Sequence, residues 1–243
     1  MSRWWNSRIL VGFLPHGITV QEATGRIDNE PYSGYWPAGT QLGEFPWSAG
    51  FAALDQWLSN VAPRRSHIEV WLSSHYARYL VLPWSTDLKR DSEWQALAMA
   101  RVEFIWGNKV DWDIRLDRLR FESSCLVCAV DGQLTSALRA LRSPNGLAIK
   151  SIQPHFSASF NELAAEVGDG PTLIVSPEPD CITIGAADQG AWKHIRTLPV
   201  SEESTLSVET LVNRERLALG LPADCSVVFG RQLGLALLHE AQG

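Results

Sequence analysis

The apolar positions of this chain change period several times, and each change marks an element. Ile9 to Leu14 is a continuous apolar run, broken by Pro15-His16-Gly17, after which apolar positions resume at Ile18. That pattern predicts a strand to about Leu14, a turn, and a second strand. Residues 26–45 carry Gly, Pro and Asn at close intervals and predict a long loop or a ragged third strand. Phe51, Leu54, Leu58 and Val61 then fall at helical spacing, and Pro63 marks the end of that helix. "HIEVWLS" and "YARYLVLPW" read as two strands joined by a tight turn near Ser74-His75.

A second helix is predicted over "DSEWQALAMARVEFIWG". Trp94, Ala98, Val102 and Ile105 form its stripe, Asp91 or Ser92 caps it, and Gly107 stops it. "RLDRLRF" and "CLVCAV" predict strands. A helix with Leu134, Leu138 and Leu141 on one face follows, then a strand at "LAIKSIQP", then a helix carrying Phe156, Phe160, Leu163 and Val167. Gly168-Asp169-Gly170-Pro171 is the natural break, which gives domains 1–168 and 169–243. Beyond it, "LIVSPEPDCITIGAADQGAWKHIRTLP" reads as three short strands. A helix at "LSVETLVNRERLALG", a strand at "CSVVFG" and a last helix at "QLGLALLHEA" complete the chain. The order of elements repeats: each half opens with an antiparallel meander and passes to helices alternating with strands. Two such α/β halves describe an actin-like, ribonuclease-H-like architecture.

Composition narrows the partners. The chain has 243 residues, 45% hydrophobic and 20% charged, as an ordinary globular protein does. A net charge of −6 with no Lys/Arg run argues against nucleic acid. No window reaches the ~18 apolar residues that span a bilayer, and the short apolar run at Ile9–Leu14 is no signal peptide. The expectation is a soluble, cytoplasmic protein that touches a membrane only through a partner. Cys125 and Cys128 form a C-x-x-C inside a predicted buried strand, where residues three apart face opposite sides, so buried reduced thiols are expected.

Little in the sequence points to catalysis. The six histidines form no metal pattern, and His16 reads as a turn histidine rather than a phosphate ligand. There is no P-loop and no nucleophile elbow. Asp111, Asp113 and Asp117 alternate with Arg115, Arg118 and Arg120, which favours a solvated, self-paired strand over a metal site. No catalytic, cofactor-binding or metal residue is therefore assigned. Arg78 and Glu93 are read as a structural pair tying a strand to the next helix. Of the eleven tryptophans, Trp36, Trp47, Trp57, Trp71 and Trp84 are expected mostly in the core, with a subset at a partner surface.

Three stretches carry a family resemblance. "LVGFLPHGITVQEA", "LSSHYARYLVLPWSTDLKRDSEWQALAMARVEFIWG" and "LIVSPEPDCITIGAADQGAWKHIRTLP" resemble the actin-like proteins of type IV pilus assembly (PilM) and the cytoplasmic domain of the type II secretion protein GspL. The first and third stand where that architecture has its two phosphate hairpins, the third with Asp188-Gln189-Gly190 as its turn. Such ATPases need a carboxylate at the end of the first strand, and turn glycines whose backbone N–H groups reach the phosphates. Here the first turn is Pro15-His16-Gly17 with no acid, and the next is Ser176-Pro177-Glu178-Pro179, with two residues lacking an N–H. The adenosine turn of the family corresponds to "VVFGRQLG", with Gly230 and Gly234 separated by Arg-Gln-Leu. Only about 45 residues follow the second meander, room for roughly two helices and a strand, so the fold is expected to be truncated.

The resemblance thus implies a non-enzymatic scaffold of a pilus or secretion platform that has lost its nucleotide and needs no cofactor. Its partner would be the cytoplasmic tail of a bitopic inner-membrane protein, with the assembly ATPase as a further candidate. The other class is a small ATP-binding enzyme of the same superfamily, such as a sugar or acyl kinase.

Overall fold

The computed structural model describes residues 8–22, 34–37, 45–60, 67–117, 122–141, 149–200 and 207–233. The chain divides into two compact units. One holds Met1–Tyr76, Gln133–His155 and Leu233–Gly243, and the other Ala77–Gly132 and Phe156–Gln232. The expected break at residues 168–171 is the connection into β9 (Thr172–Pro177) and lies inside the second unit.

In the first unit, β1 (Arg8–Leu14) and β2 (Gly17–Glu22) form the expected hairpin, with Leu14 opposite Gly17. β3 (Gly34–Pro37) adds antiparallel to β2. Helix α1 (Ser48–Asn60) then crosses to β4 (His67–Leu72), which pairs parallel to β1. Every position of β1 from Ile9 to Leu14 is buried, so both faces of the strand are covered, which is why it reads as one continuous apolar run. Helix α1 buries Ala53, Leu54, Trp57 and Leu58; Phe51 is only half-buried, and Val61 lies outside the described residues. Gly50 lets the helix approach the sheet, since a Cβ there would sit 2.8 Å from the Leu14 carbonyl oxygen. Helix α3 (Gly132–Ala140) buries Leu134 and Leu138 and leads to β8 (Ile149–Pro154), parallel to β4. The sheet order is β3-β2-β1-β4-β8.

The second unit contains two sheets. β5 (Ala77–Leu82), β7 (Cys125–Asp131) and β6 (Trp112–Leu116) form an antiparallel sheet in the order β5-β7-β6. Although only a tight turn separates β4 from β5, they do not pair and belong to different sheets. Helix α2 (Asp91–Trp106) lays Trp94, Ala98 and Val102 on Leu82, Ile114, Cys125, Val127 and Ala129. Ile105, expected in this stripe, is 52% exposed. Gly107 ends the helix at φ 90°, its amide donating to Glu103.

Helix α4 (His155–Leu163) leads to the second meander: β9, β10 (Cys181–Asp188) and β11 (Ala191–Pro199). Gln189 and Gly190 both have positive φ, 52° and 72°, as a two-residue type I′ hairpin requires. Helix α5 (Val208–Ala218) follows and leads to β12 (Ser226–Phe229), parallel to β9, in the order β11-β10-β9-β12. Side chains alternate along β9: Leu173 and Val175 face the Leu211 and Val212 side, while Ile174 packs with Phe156, Leu163 and Trp192. The first four strands of the first unit's sheet and the four strands here share one connectivity. Each is a meander whose first strand becomes central, followed by a helix to a parallel fourth strand. This is the repeat anticipated from the order of elements.

Candidate functional site

The two hairpin turns are where a phosphate site would form. The first is Pro15-His16, half-buried and exposed respectively, between strands whose ends are apolar. Phe13 and Leu14 are buried where a metal-organising carboxylate would stand. The Phe13 carbonyl accepts from the Ser73 amide at 2.9 Å, and its ring lies 5.4 Å from Tyr76, so the strand end is fixed by backbone and aromatic contacts. Gly17 is buried as the first residue of β2.

The second turn is built differently from a phosphate cradle. Pro177 and Pro179 have no N–H to donate. The Glu178 amide between them donates to the Cys181 carbonyl at 2.8 Å. Three consecutive backbone positions therefore offer no donor to a ligand. The Glu178 side chain is not solvated either, with only 4% of the residue exposed. Burial, and then the charge of Glu178, push the Cys181 thiol up from its ordinary value. Ser176 is fully buried and its hydroxyl donates to that of Ser159 at 3.3 Å. The residue expected near adenosine, Gly230, is taken up by packing. Its amide donates to Val175 at 2.7 Å, and a Cβ on it would lie 2.6 Å from the Ser159 Cβ. Gly234 is outside the described residues.

Glu93 is engaged at the start of its own helix. The Glu93 carboxylate reaches back over the start of α2, accepting from the backbone amides of Lys89 (2.7 Å) and Arg90 (3.0 Å) and from the Arg90 guanidinium (2.6 Å). Helix α2 is thus capped through Arg90 and Glu93 rather than by Asp91 or Ser92. The Lys89 amide first, and Arg90 after it, hold the Glu93 carboxyl below the ordinary carboxylate range. Arg78 is half-buried on β5, donates to the Ala77 carbonyl, and has its pKa lowered by burial. The expected tie between strand and helix is replaced by a local one, because Glu93 sits at the third helical position, where a capping box forms.

Of the aspartates, Asp113 bonds Arg115 at 3.2 Å as a self-paired strand would, while Asp117 accepts from the Trp192 indole N–H at 3.2 Å; Arg118 and Arg120 lie outside the described residues. Cys125 and Cys128 are free and buried on opposite faces of β7, and burial pushes them up to about 11 and about 12. One feature had no signal in the sequence. In the second unit, Asp117, Ser123, Ser124, Phe160, Asp169 and Trp192 help line a pocket of about 240 Å³. Its walls come from the β6–β7 connection, the end of α4 and the second meander, so no local motif could reveal it.

No protein-family model matches the sequence, and no curated protein matches it. Solved structures do. A Bacteroides thetaiotaomicron protein of unknown function with an actin-like ATPase fold superposes over 98% of this chain and 87% of its own, with a TM-score of 0.54 and 12% identity. The fold is actin-like. The cytoplasmic domain of EpsL, an inner-membrane component of the Vibrio cholerae type II secretion system, matches this actin-like chain over 96%, and over 87% of its own length, at TM-score 0.53 and 10% identity. The PilM–PilN type IV pilus biogenesis complex aligns more loosely, at TM-score 0.45 and 15% identity over 89% of this chain and 66% of that one, which leaves the first two to define the fold.

Proposed function

We propose that this chain is a non-enzymatic actin-like scaffold in the inner-membrane platform of a type II secretion or type IV pilus machine. The observation that carries the reading is the run Pro177-Glu178-Pro179, where two prolines and one occupied amide leave no backbone donor for a phosphate. The apolar end of β1 points the same way, because nothing there would organise a metal-bound water. The choice of machine is supported by the likeness in fold to the EpsL cytoplasmic domain. The other reading, a small sugar or acyl kinase of the same superfamily, needs both turns intact.

Among the described residues no helix is long and apolar enough to cross a membrane. The scaffold would be held at the inner membrane by the cytoplasmic tail of a bitopic protein, and would meet the assembly ATPase there. Affinity purification from cells tests this reading. It predicts enrichment of an inner-membrane protein with a short cytoplasmic tail, and a synthetic peptide of that tail should bind with about micromolar affinity, near −8 kcal/mol. Fractionation as a free species, with no membrane protein enriched over controls, refutes it.

A further inference from the structure

β12 stands at the end of the second unit's sheet, and among the described residues no strand pairs with its outer edge. The corresponding fourth strand of the first unit, β4, carries β8 on that side and is buried at Ile68, Val70, Trp71 and Leu72. β12 is not covered in this way. Ser226 is exposed, Val227 is 37% exposed and Phe229 is 53% exposed. An open edge carrying apolar side chains is a template for pairing with another chain.

The hydrogen bonds fix which backbone groups face outward. The amides of Ser226 and Gly230 donate to the carbonyls of Pro171 and Val175, at 3.1 and 2.7 Å. Alternate residues of a strand turn their N–H and C=O to one side, so residues 226, 228 and 230 serve β9. Val227 and Phe229 turn theirs away from it. Their side chains share one face, opposite to that of Val228, which packs with the Ile174 cluster.

These groups are complementary to a copy of themselves. Antiparallel pairing about a two-fold axis at Val228 sets Val227 opposite Phe229 of the second copy, and Phe229 opposite its Val227. Each such pair exchanges two N–H···O=C bonds, partial positive charge against partial negative, and packs a β-branched side chain on an aromatic one. The charges flanking the strand favour the same direction. Asp224 precedes β12 and Arg231, which also pairs with Glu162 at 3.8 Å, follows it; both are exposed. Antiparallel pairing brings each acid towards the other copy's arginine, whereas parallel pairing sets like ends together. A strand of four residues covers much less than the ~800 Å² per partner of a standard interface, so the contact is weak and depends on concentration.

We propose that β12 is a self-association edge, through which two copies of this chain pair antiparallel and join their four-stranded sheets into one. The inference rests on this strand alone and holds whether or not the chain belongs to a membrane platform.

Sedimentation equilibrium of the full chain tests it. The mean mass should rise from monomer towards dimer between about 10 µM and about 1 mM, the range of a weak interface. Val227→Lys with Phe229→Lys sets like charges opposite each other and should weaken association by about tenfold or more. Val227→Lys with Phe229→Glu sets lysine opposite glutamate in the register centred on Val228, and should restore association in a salt-sensitive form. Phe229→Pro removes an outward N–H that β9 does not use, and should also dissociate the pair. Val227 and Phe229 are exposed, so the charge variants decide the matter even if the proline variant folds poorly. A chain that stays monomeric at every concentration overturns the proposal and leaves the edge to a strand of another protein. Association that survives the two lysines overturns it as well, because it then runs through another surface. So does equal weakening by the lysine–lysine and lysine–glutamate variants, which contradicts the antiparallel register.

Discussion

Gly185 lies in the middle of β10, opposite Ile174 and Ile195, beneath two buried rings. A Cβ at this position would stand 2.5 Å from Phe156 Cζ and 2.9 Å from Trp192 Cζ3, well inside ordinary carbon–carbon contact at ~3.5–4.0 Å. Both rings are buried and Trp192 is bonded at its indole N–H and its carbonyl, so neither can swing aside without disturbing the sheet. Gly185→Ala should therefore cost about 2–3 kcal/mol, the upper part of the overpacking range. Phe156→Leu removes the nearest offending atom. In that background the added methyl should cost about 1–2 kcal/mol less, a coupling within the range for residues in contact. Urea unfolding followed by circular dichroism, on the wild type, both single variants and the double, measures this directly. A neutral Gly185→Ala, or strict additivity in the cycle, would show that the second meander does not pack under α4 as described.

Three further predictions concern pH and the start of α2. Burial raises the Cys125 and Cys128 pKa values to about 11 and about 12, against about 8.5 in an unfolded chain, so their contribution is whole below the unfolded value. Stability should fall as pH rises from there towards the folded values, by up to about 1.4 kcal/mol per pH unit for each thiol, and replacing both by alanine should flatten that slope in denaturant melts. Glu93→Ala should speed amide exchange in the first turn of α2, Arg78→Met should not, and their effects on melting temperature should add, because the two side chains serve different partners. Glu93 has a lowered pKa, so its capping contribution is present above the unfolded carboxylate value and is lost as pH falls through the folded one; amide exchange in α2 that ignores this window would count against the cap.

Local chemistry made much of this fold readable. Helix α2 ends where Gly107 predicts, although its cap is Arg90 with Glu93 rather than Asp91 or Ser92, and the Gln189-Gly190 hairpin needs only its own two residues. What depended on distant partners was harder to read. β4 and β5 are neighbours in sequence, yet β4 finds β1 and β8 while β5 finds β7, and nothing within the stretch says so. Trp57 is fully buried, as expected of a core tryptophan, whereas Phe51 of the predicted stripe is only half-buried. At the candidate site, the two prolines were visible, but the role of Glu178 was not. A glutamate in a proline-rich turn reads as solvated and repulsive, whereas here it is buried and its amide is spent on Cys181. The Trp192 pocket draws residues from 117 to 192 and could be found only in three dimensions.

The central claim is that an actin-like fold has been kept while its phosphate turns no longer hold a nucleotide. Thermal unfolding in the presence of ATP and magnesium measures it most directly. A ligand at a hundred times its Kd stabilises the folded state by about 2.7 kcal/mol, which would raise the melting temperature of a chain of this size by about 5 °C or more. With Pro177, Glu178 and Pro179 offering no backbone donor, we expect no magnesium-dependent shift at millimolar ATP. A clear shift that requires magnesium and vanishes with AMP would contradict the account and restore the ATP-binding reading.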